Sequence, residues 1–161
     1  MFREMRRFRQ LLSREDMQAV MGRCTNGVLA CLGDDDYPYA VPLSYVYYDN
    51  KIYFHGAKAG HKNDAIAKHP KVSFAVVDED TIVSAEYTTY FRSVIAFGKA
   101  RTVEGDEWVE AFHAMVEKYS GDLPEAAKQK EIMGCTRSNI MAIDVEHITG
   151  KEAIEYVKGK K

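Results

Sequence analysis

The chain of 161 residues carries 22 lysines and arginines against 24 aspartates and glutamates, which leaves a net charge of −2 with histidine neutral. This balance argues against a dedicated nucleic-acid-binding protein, and no apolar run approaches the roughly 20 residues that span a membrane. With a hydrophobic share of 46%, residues 1–161 are predicted to form one soluble domain around a single core.

The cysteines and the N-terminal segment predict the cellular compartment of the protein. Cys24, Cys31 and Cys135 are odd in number and contain no CxxC pair, which argues against a disulfide framework and against a structural zinc site. The charged N-terminal segment has no apolar stretch after it, so no signal peptide is predicted. We therefore expect reduced thiols, a cytoplasmic location and no bound metal.

The first half of the chain predicts one helix followed by strands that tight turns connect. Ser13 and Asp16 have the spacing of a capping box, which predicts a helix over 13–22. Strands bounded by turn residues are predicted over 27–32, 37–48 and 51–55. Pro38 and Pro42 restrict the second of these strands to an edge or a bulge, because proline has no N–H for the ladder.

The second half continues with alternating helical and strand patterns. Helices are predicted over 61–68, 106–119 and 124–134. Strands are predicted over 72–77, 84–101 and 140–147, with a bend at Gly98. Six or more strands with mostly short connections, and without regular strand–helix alternation, predict a mostly antiparallel β-barrel with peripheral helices.

The densest group of candidate site residues lies where a strand runs through a small-residue loop into a helix, in IYFHGAKAGHKNDAI. Gly56 and Gly60 allow the backbone to approach a ligand closely, and the free N–H groups of a helix start attract an anion. His61 and Lys62 add positive charge there, so the segment suits a phosphate. The alternative is an ordinary surface connection with solvated basic side chains.

Two further polar positions are candidates. His55 ends a strand beside this loop, where it is either a hydrogen-bonded structural residue or part of the site. Arg92, followed by Ser93, interrupts an apolar strand, and a buried arginine must pair with an anion, either a carboxylate of the protein or a ligand. No nucleophile motif accompanies these residues, so we expect a bound cofactor to carry the chemistry.

Four segments together resemble the pyridoxamine 5′-phosphate oxidase-like flavoproteins, and within them the nitroimidazole-resistance (Nim-type) branch. They are MRR near the start, YPYAVPLSYVYYDNKIYFHGAKAGHK, YFRSVIAFGKA and ITGKEAIE. The resemblance runs from about residue 5 to 157, nearly the whole chain. It implies a split β-barrel that forms a homodimer and binds FMN at the subunit interface.

The resemblance also assigns the candidate residues to parts of FMN. The strand along the isoalloxazine ring is matched by Val41, Pro42, Leu43 and Ser44. The segment at the ring and the ribityl chain is matched by His55, Gly56 and Ala57. The phosphate-binding positions are matched by Gly60, His61 and Lys62, where relatives that oxidise pyridoxamine phosphate usually have arginine before the lysine. Residues that reach the flavin from the same barrel or from its partner are matched by Arg92 and Ser93.

The activity implied by the resemblance is the reduction of a nitro group on a small-molecule substrate to an amine with reduced FMN. In the Nim-type branch the residue matched by His55 lies beside the flavin, where an imidazole can donate a proton. The C-terminal Arg/His pattern that binds pyridoxal phosphate is missing from the tail, GKEAIEYVKGKK, so oxidation of vitamin B6 is not expected. The alternative is a flavin- or haem-binding protein without turnover, with His55 as a haem ligand.

Overall fold

The computed structural model describes residues 2–135 and 138–159, and within them it contains five α-helices and seven strands. In chain order these are α1 (Arg14–Arg23), β1 (Asn26–Leu32), β2 (Pro38–Ser44), β3 (Val46–Tyr48), β4 (Lys51–Gly56), α2 (His61–Lys68), β5 (Lys71–Val83), β6 (Thr88–Thr102), α3 (Gly105–Ser120), α4 (Glu125–Gly134), β7 (Asn139–Glu152) and α5 (Ile154–Gly159). The four helices predicted from the sequence are confirmed as α1 to α4, with ends that differ by at most one residue.

The strands form one antiparallel sheet in the order β2-β1-β5-β6-β7-β4-β3. β2 and β3 lie at opposite edges of this sheet, although only Tyr45 separates them in the chain. The sheet must therefore curl until its two edges meet at Tyr45. This geometry confirms the predicted fold class, a mostly antiparallel split β-barrel with peripheral helices.

Two apolar clusters surround the barrel wall. The first fills the inside of the curved sheet and includes Phe54, Phe74 and the buried faces of α1 and α2. The second lies outside, where Phe112 and Met115 of α3 pack against Tyr53 of β4. Because side chains alternate along a strand, successive residues of β4 contribute to opposite clusters.

Three local predictions are confirmed. The Ser13 hydroxyl accepts a hydrogen bond from the Asp16 N–H at 3.0 Å and caps α1. Pro38 and Pro42 lie in β2, which is an edge strand of the sheet. At Gly98 a bulge shifts the pairing of β6 with β7, and a side chain there would collide with the backbone of β7.

The prediction of one continuous strand over 37–48 is wrong, because the chain leaves the sheet at Tyr45. The buried Tyr45 hydroxyl donates a hydrogen bond to Met21 O at 2.8 Å, and the Tyr45 N–H donates to Tyr119 Oη at 3.0 Å. Contacts with α1 and α3 thus replace strand pairing at this residue. The result is that β2 and β3 end on opposite edges of the barrel.

The other differences concern strand length and one short helix. The predicted strands over 72–77 and 140–147 are too short, the one over 84–101 begins too early, and α5 was not predicted. The acidic residues after position 77 interrupt the apolar pattern, but β5 continues through them. Arg92 of β6 stabilises this continuation by an ion pair with Asp78 at 3.2 Å.

Candidate functional site

The loop between β4 and α2 depends on two glycines. Gly60 has a φ of +131°, which side chains disfavour, and as the N-cap residue of α2 it has no side chain to cap the helix. At Gly56, which ends β4, an added Cβ would lie 3.0 Å from Lys62 Nζ. The bare backbone therefore brings β4 close to the first turn of α2, where uncapped N–H groups favour an anion.

Lys62 places a half-buried ammonium group at this loop. Its Nζ lies 5.1 Å from the centroid of the Phe54 ring, and no carboxylate in residues 2–135 or 138–159 pairs with it. Burial lowers the pKa of Lys62, because the charged form loses its water. A bound anion would supply the counter-charge that the described residues do not provide.

The neighbours of Lys62 on α2 are held by other parts of the fold. Asn63 Nδ2 donates to Ala57 O at 2.8 Å and ties the loop to the helix, while its Oδ1 is buried without a hydrogen-bond partner in the described chain. His61 stacks on Tyr39 of β2 with ring centroids 4.1 Å apart, and its Nε2 lies 3.8 Å from a carboxylate oxygen in the β1–β2 turn. Of the two predicted phosphate-binding side chains, Lys62 is therefore the one left for a ligand.

The four candidate residues on β2 present two faces. Val41 and Leu43 are half-buried and pack on the inside cluster, whereas Pro42 and Ser44 are exposed on the other face. Alternation along the strand is the cause. A flat ring placed on the outer face of β2 would touch the side chains of Pro42 and Ser44 and only the backbone of the other two residues.

His55 is exposed and lines a cavity of about 340 Å³ between the barrel and the helices α3 and α4. Ser44 lines the same cavity, so the structure brings these two candidate residues together. Phe112, Met115 and Val116 of α3 provide its apolar wall. The arrangement suits a small planar ligand with its polar edge toward the imidazole.

His55 and Lys62 lie on opposite sides of β4. Lys62 contacts Phe54, which belongs to the inside cluster, whereas His55 is the next residue along the strand and faces the cavity under α3. The strand ends at Gly56, directly after His55. A ligand that reaches both side chains must therefore pass around the end of β4 at this glycine.

Tyr119 of α3 also belongs to this cavity, although the sequence predicts it only as the last residue of the helix over 106–119. Its hydroxyl accepts the hydrogen bond from Tyr45 N and lies 2.7 Å from Tyr45 O, which holds the junction of β2 and β3 next to Ser44. The two tyrosines are 74 residues apart in the chain. The helical pattern predicts the packing of Tyr119 but carries no signal for a partner at that separation.

Arg92 pairs with carboxylates of the protein, one of the two alternatives that the sequence left open. Its guanidinium lies 3.2 Å from Asp78, 3.8 Å from Glu79 and 3.4 Å from Glu152, and it stacks on the ring of Tyr156 at 5.1 Å. Three acidic neighbours already compensate its charge. Arg92 thus differs from Lys62, which forms no salt bridge with a carboxylate among the described residues.

Arg92 and Ser93 also lie far from the loop between β4 and α2 within one chain. Arg92 is paired with the last residue of β7, Glu152, whereas Gly56 is paired with its first, Asn139. The separation of thirteen residues (139 to 152) corresponds to about 40 Å of extended strand. Ser93 instead lines a cavity of about 500 Å³ on the outer face of β6 and β7.

The cysteines and the possible metal ligands do not form a second candidate site among the described residues. Cys24, Cys31 and Cys135 are free, and burial raises the pKa of the first two thiols, so neither is activated. Among the residues that the structure describes, no cluster of three or more His, Cys, Asp or Glu side chains could hold a metal ion. In that same part of the chain, every helix is too short or too polar to cross a bilayer.

Comparison with known proteins covers nearly the whole chain. Residues 13–152 match the family model described as pyridoxamine 5′-phosphate oxidase. Among solved structures, the conserved protein Rv2991 of Mycobacterium tuberculosis superposes with a TM-score of 0.78 at 21% identity, over 92% of this chain and 90% of the other. This similarity supports the split-barrel fold.

Two other solved structures share the fold and have described ligands or roles. A candidate 5-nitroimidazole antibiotic resistance protein of Bacteroides thetaiotaomicron VPI-5482 gives a TM-score of 0.72 at 16% identity, over 88% of this chain and 86% of the other. The FAD and haem binding protein of Mycobacterium smegmatis gives a TM-score of 0.70 at 18% identity, over 95% and 80%. At these identities the similarity concerns the fold.

Proposed function

The chain belongs to the pyridoxamine 5′-phosphate oxidase family, and on this basis we propose that it is an FMN-dependent oxidoreductase that reduces nitroimidazole-type compounds to amines. The observation that carries the proposal is the half-buried ammonium of Lys62, which lacks a carboxylate partner among the described residues and lies beside the uncapped start of α2. A phosphate there would gain a charge-assisted hydrogen bond and the free N–H groups of the helix.

The residues present fit a flavin mononucleotide in three parts. Gly60 and Lys62 would hold the phosphate, the backbone at Gly56 and Ala57 would lie against the ribityl chain, and the outer face of β2 would support the ring. The Gly56 position supports this fit, since a side chain there would fill the space beside Lys62 Nζ. When bound, the flavin supplies electrons to the substrate.

His55 would hold the proton that the substrate takes up. Each two-electron reduction of a nitro or nitroso group consumes two protons, and the exposed imidazole of His55 opens into the cavity where such a group would fit. The apolar wall formed by Phe112, Met115 and Val116 would exclude water from the ring of the substrate. The hydroxyl of Ser44 would orient its polar edge.

A homodimer with shared sites is part of the proposal. Ser93 is paired with Lys151, twelve residues along β7 from the partner of Gly56, which is about 40 Å of extended strand, so it can reach the same flavin only from a partner chain. Ser93 lines a cavity on the outer sheet face, where a second copy would pack. The two-fold arrangement would give two equivalent sites.

A flavin- or haem-binding role without turnover is the second candidate function. It is favoured by the exposure of His55, whose imidazole could ligate haem iron, and by the similarity in fold to a protein that binds FAD and haem. This role requires no substrate in the cavity of His55. It therefore predicts a bound flavin or haem that, once reduced, is not reoxidised by a nitro compound.

The absorption spectrum of freshly purified protein tests the proposal. We expect flavin bands, a released cofactor that chromatography identifies, and reoxidation of the dithionite-reduced protein by a nitroimidazole under anaerobic conditions. Each reduced flavin supplies two electrons, so the amine is expected only after three cycles of reduction and reoxidation. A Soret band in place of flavin bands would overturn the proposal in favour of haem binding. A flavin that nitroimidazole does not reoxidise would leave only the binding role.

A further inference from the structure

The N-terminal segment, residues 2–11, carries a surface that the proposed function does not use. Its sequence repeats with a period of three, because an apolar residue stands at every third position and an arginine follows each of the first three. The apolar residues are Phe2, Met5, Phe8 and Leu11, and the arginines after them are Arg3, Arg6 and Arg9. A turn of three residues, as in a 3₁₀-helix, aligns such positions in two adjacent stripes.

The structure contains this turn at Phe8–Gln10, a short 3₁₀-helix that β7 holds in place. The buried side chain of Gln10 donates from Nε2 to Glu152 O at 2.8 Å, and the N–H of Leu12 donates to Gly150 O at 3.0 Å. These hydrogen bonds fix one face of the turn on the end of β7. The other faces of the turn are therefore held in a constant orientation at the surface.

The apolar and the basic stripe are both open to solvent at this turn. Phe8 is 71% exposed and Leu11 is 50% exposed, and the guanidinium carbon of Arg9 lies 5.9 Å from the centroid of the Phe8 ring. The arginines of residues 2–11 are all exposed, and none of them forms a salt bridge with another described residue. Exposed apolar side chains beside uncompensated cations mark a surface that contacts a partner.

The charge of this segment is opposite to that of the whole chain. Residues 2–11 contain four arginines and one glutamate, whereas the chain has a net charge of −2. Lys151 of β7, which is exposed and bridged to Leu11, extends the positive surface. An anionic partner is therefore attracted to this end of the molecule and repelled by the rest of it.

The pairing of the two stripes favours a lipid surface over a nucleic acid. Arginines beside exposed phenylalanine and leucine are typical of segments that lie between the headgroups and the acyl chains of a bilayer. A single-stranded nucleic acid instead needs a series of aromatic rings for successive bases. In this segment Phe2 is already stacked on His147 with ring centroids 4.6 Å apart, and Leu11 has no ring.

We propose that residues 2–11 form a peripheral membrane-binding surface for anionic phospholipids, with the arginines at the headgroup phosphates and with Phe8 and Leu11 at the start of the acyl chains. The inference goes beyond the proposed function and is independent of it, because none of these residues belongs to the flavin or substrate site. It assigns a partner to the arginine-rich start of the chain.

Co-sedimentation of the full-length protein with vesicles tests this surface. We expect binding to vesicles of phosphatidylcholine mixed with phosphatidylglycerol, no binding to phosphatidylcholine alone, and release by added salt, which screens exposed charges. Arg6→Gln combined with Arg9→Gln should weaken the binding by about 30-fold, which corresponds to about 1 kcal/mol for each arginine near an anionic surface. Phe8→Ser should weaken it by several-fold, since it removes the exposed ring.

Matched variants elsewhere on the surface are the controls. Lys130→Gln, at an exposed position of α4, and Leu123→Ser, at a 49% exposed position, should bind vesicles like the parent. Absence of binding to the mixed vesicles, or an equal loss in the control variants, would overturn the inference. An oligonucleotide that binds the parent more tightly than the vesicles do, and depends on the same arginines, would overturn it in favour of a nucleic acid. Reoxidation of the flavin by a nitroimidazole is measured without vesicles, so either hypothesis can fail while the other stands.

Discussion

At the scale of single residues, Lys62 and Arg92 show two ways of holding a partly buried cation. Arg92 has three carboxylates within 4 Å, and its charge is compensated inside the chain. Lys62 faces an aromatic ring and a glycine, with no acidic partner among the described residues. The sequence indicated both positions, but only the identity of the neighbours distinguishes a structural cation from one left for a ligand.

Replacement of Lys62 by alanine should weaken FMN by about 1.5–3 kcal/mol, the range for a hydrogen bond to a charged group. This corresponds to roughly 10- to 150-fold in Kd, measured by titration of the apoprotein. Riboflavin has no phosphate and should be affected much less. Lys68→Ala, in the exposed last turn of the same helix, is the matched control and should leave FMN binding unchanged. Equal losses for FMN and riboflavin would show that Lys62 supports the fold instead.

Replacement of His55 by alanine should slow substrate reduction by about 10²-fold, because a positioned acid–base group typically contributes 10²–10⁴-fold. The measurement is single-turnover reoxidation of the reduced, flavin-loaded protein by a nitroimidazole. His113→Ala, an exposed histidine on α3, is the control and should react at the parental rate. A His55→Ala rate within about threefold of the parent, well below the general-acid range, would remove His55 from the mechanism, and loss of the flavin itself would assign it to binding.

At the scale of elements, the attachment of α3 to the barrel positions the apolar wall of the cavity of His55. Arg101 of β6 makes two hydrogen bonds of 2.8 Å to Glu107 of α3 and two, of 2.7 and 3.1 Å, to Asp144 of β7. Tyr53 of β4 adds a hydrogen bond of 3.0 Å to Glu107. The carboxylate of Glu107 thus joins the start of α3 to two strands.

This attachment should make the free energy of unfolding depend on pH in the acidic range. The hydrogen bonds from Arg101, followed by the one from Tyr53, hold the pKa of Glu107 down at about 2, against 4.5 for an ordinary glutamate. The ionised form is therefore favoured by folding, and its contribution is present above about pH 4.5 and is lost as the pH falls toward 2. Glu107→Gln should lower the free energy of unfolding at pH 6 and flatten its decline in that window.

Urea unfolding between pH 6 and pH 2.5 or so is the measurement, with the slope against pH as the readout. Glu110→Gln, at an exposed position on α3, is the control and should retain the parental slope. If Glu107→Gln and the parent lose stability in parallel over the window, the ion pair of Arg101 does not link α3 to the barrel as the geometry indicates.

At the scale of the whole molecule, the β5–β6 hairpin extends beyond the barrel. Its tip pairs residues 80–83 with 88–91 without a third strand, and Ile82 and Tyr87 there are 79% and 98% exposed. A two-stranded ribbon with exposed apolar side chains is only marginally stable by itself. The proposed homodimer would cover this surface with a second copy.

Ile82→Glu should therefore shift the protein from dimer to monomer at micromolar concentration, since a charge would be buried at the interface. Sedimentation velocity provides the mass. The side chain is solvent-exposed in one chain, so the monomer should remain folded, and Val109→Glu at an exposed site on α3 should leave the dimer intact. A flavin-loaded parent that sediments as a monomer would contradict the proposed sharing of sites.

Interactions between residues close in the chain explain why much of this fold could be predicted from the amino-acid sequence. The capping of α1 by Ser13, the edge position of β2 and the bulge at Gly98 each follow from the chemistry of one or two neighbouring residues. The loop from Gly56 to Lys62 was identified for the same reason, because small residues and a helix start lie within seven positions.

Contacts between distant residues account for the features that patterns along the chain did not reveal. The break at Tyr45 depends on Met21 and Tyr119, and the compensation of Arg92 depends on strands on both of its sides. The cavity of His55 combines walls from elements far apart in sequence. The periodicity of apolar residues predicts which face of a helix or strand is buried. The closure of the barrel decides which of these faces meet, and it brings together side chains that are far apart in the sequence. No pattern within one segment of the chain predicts those contacts.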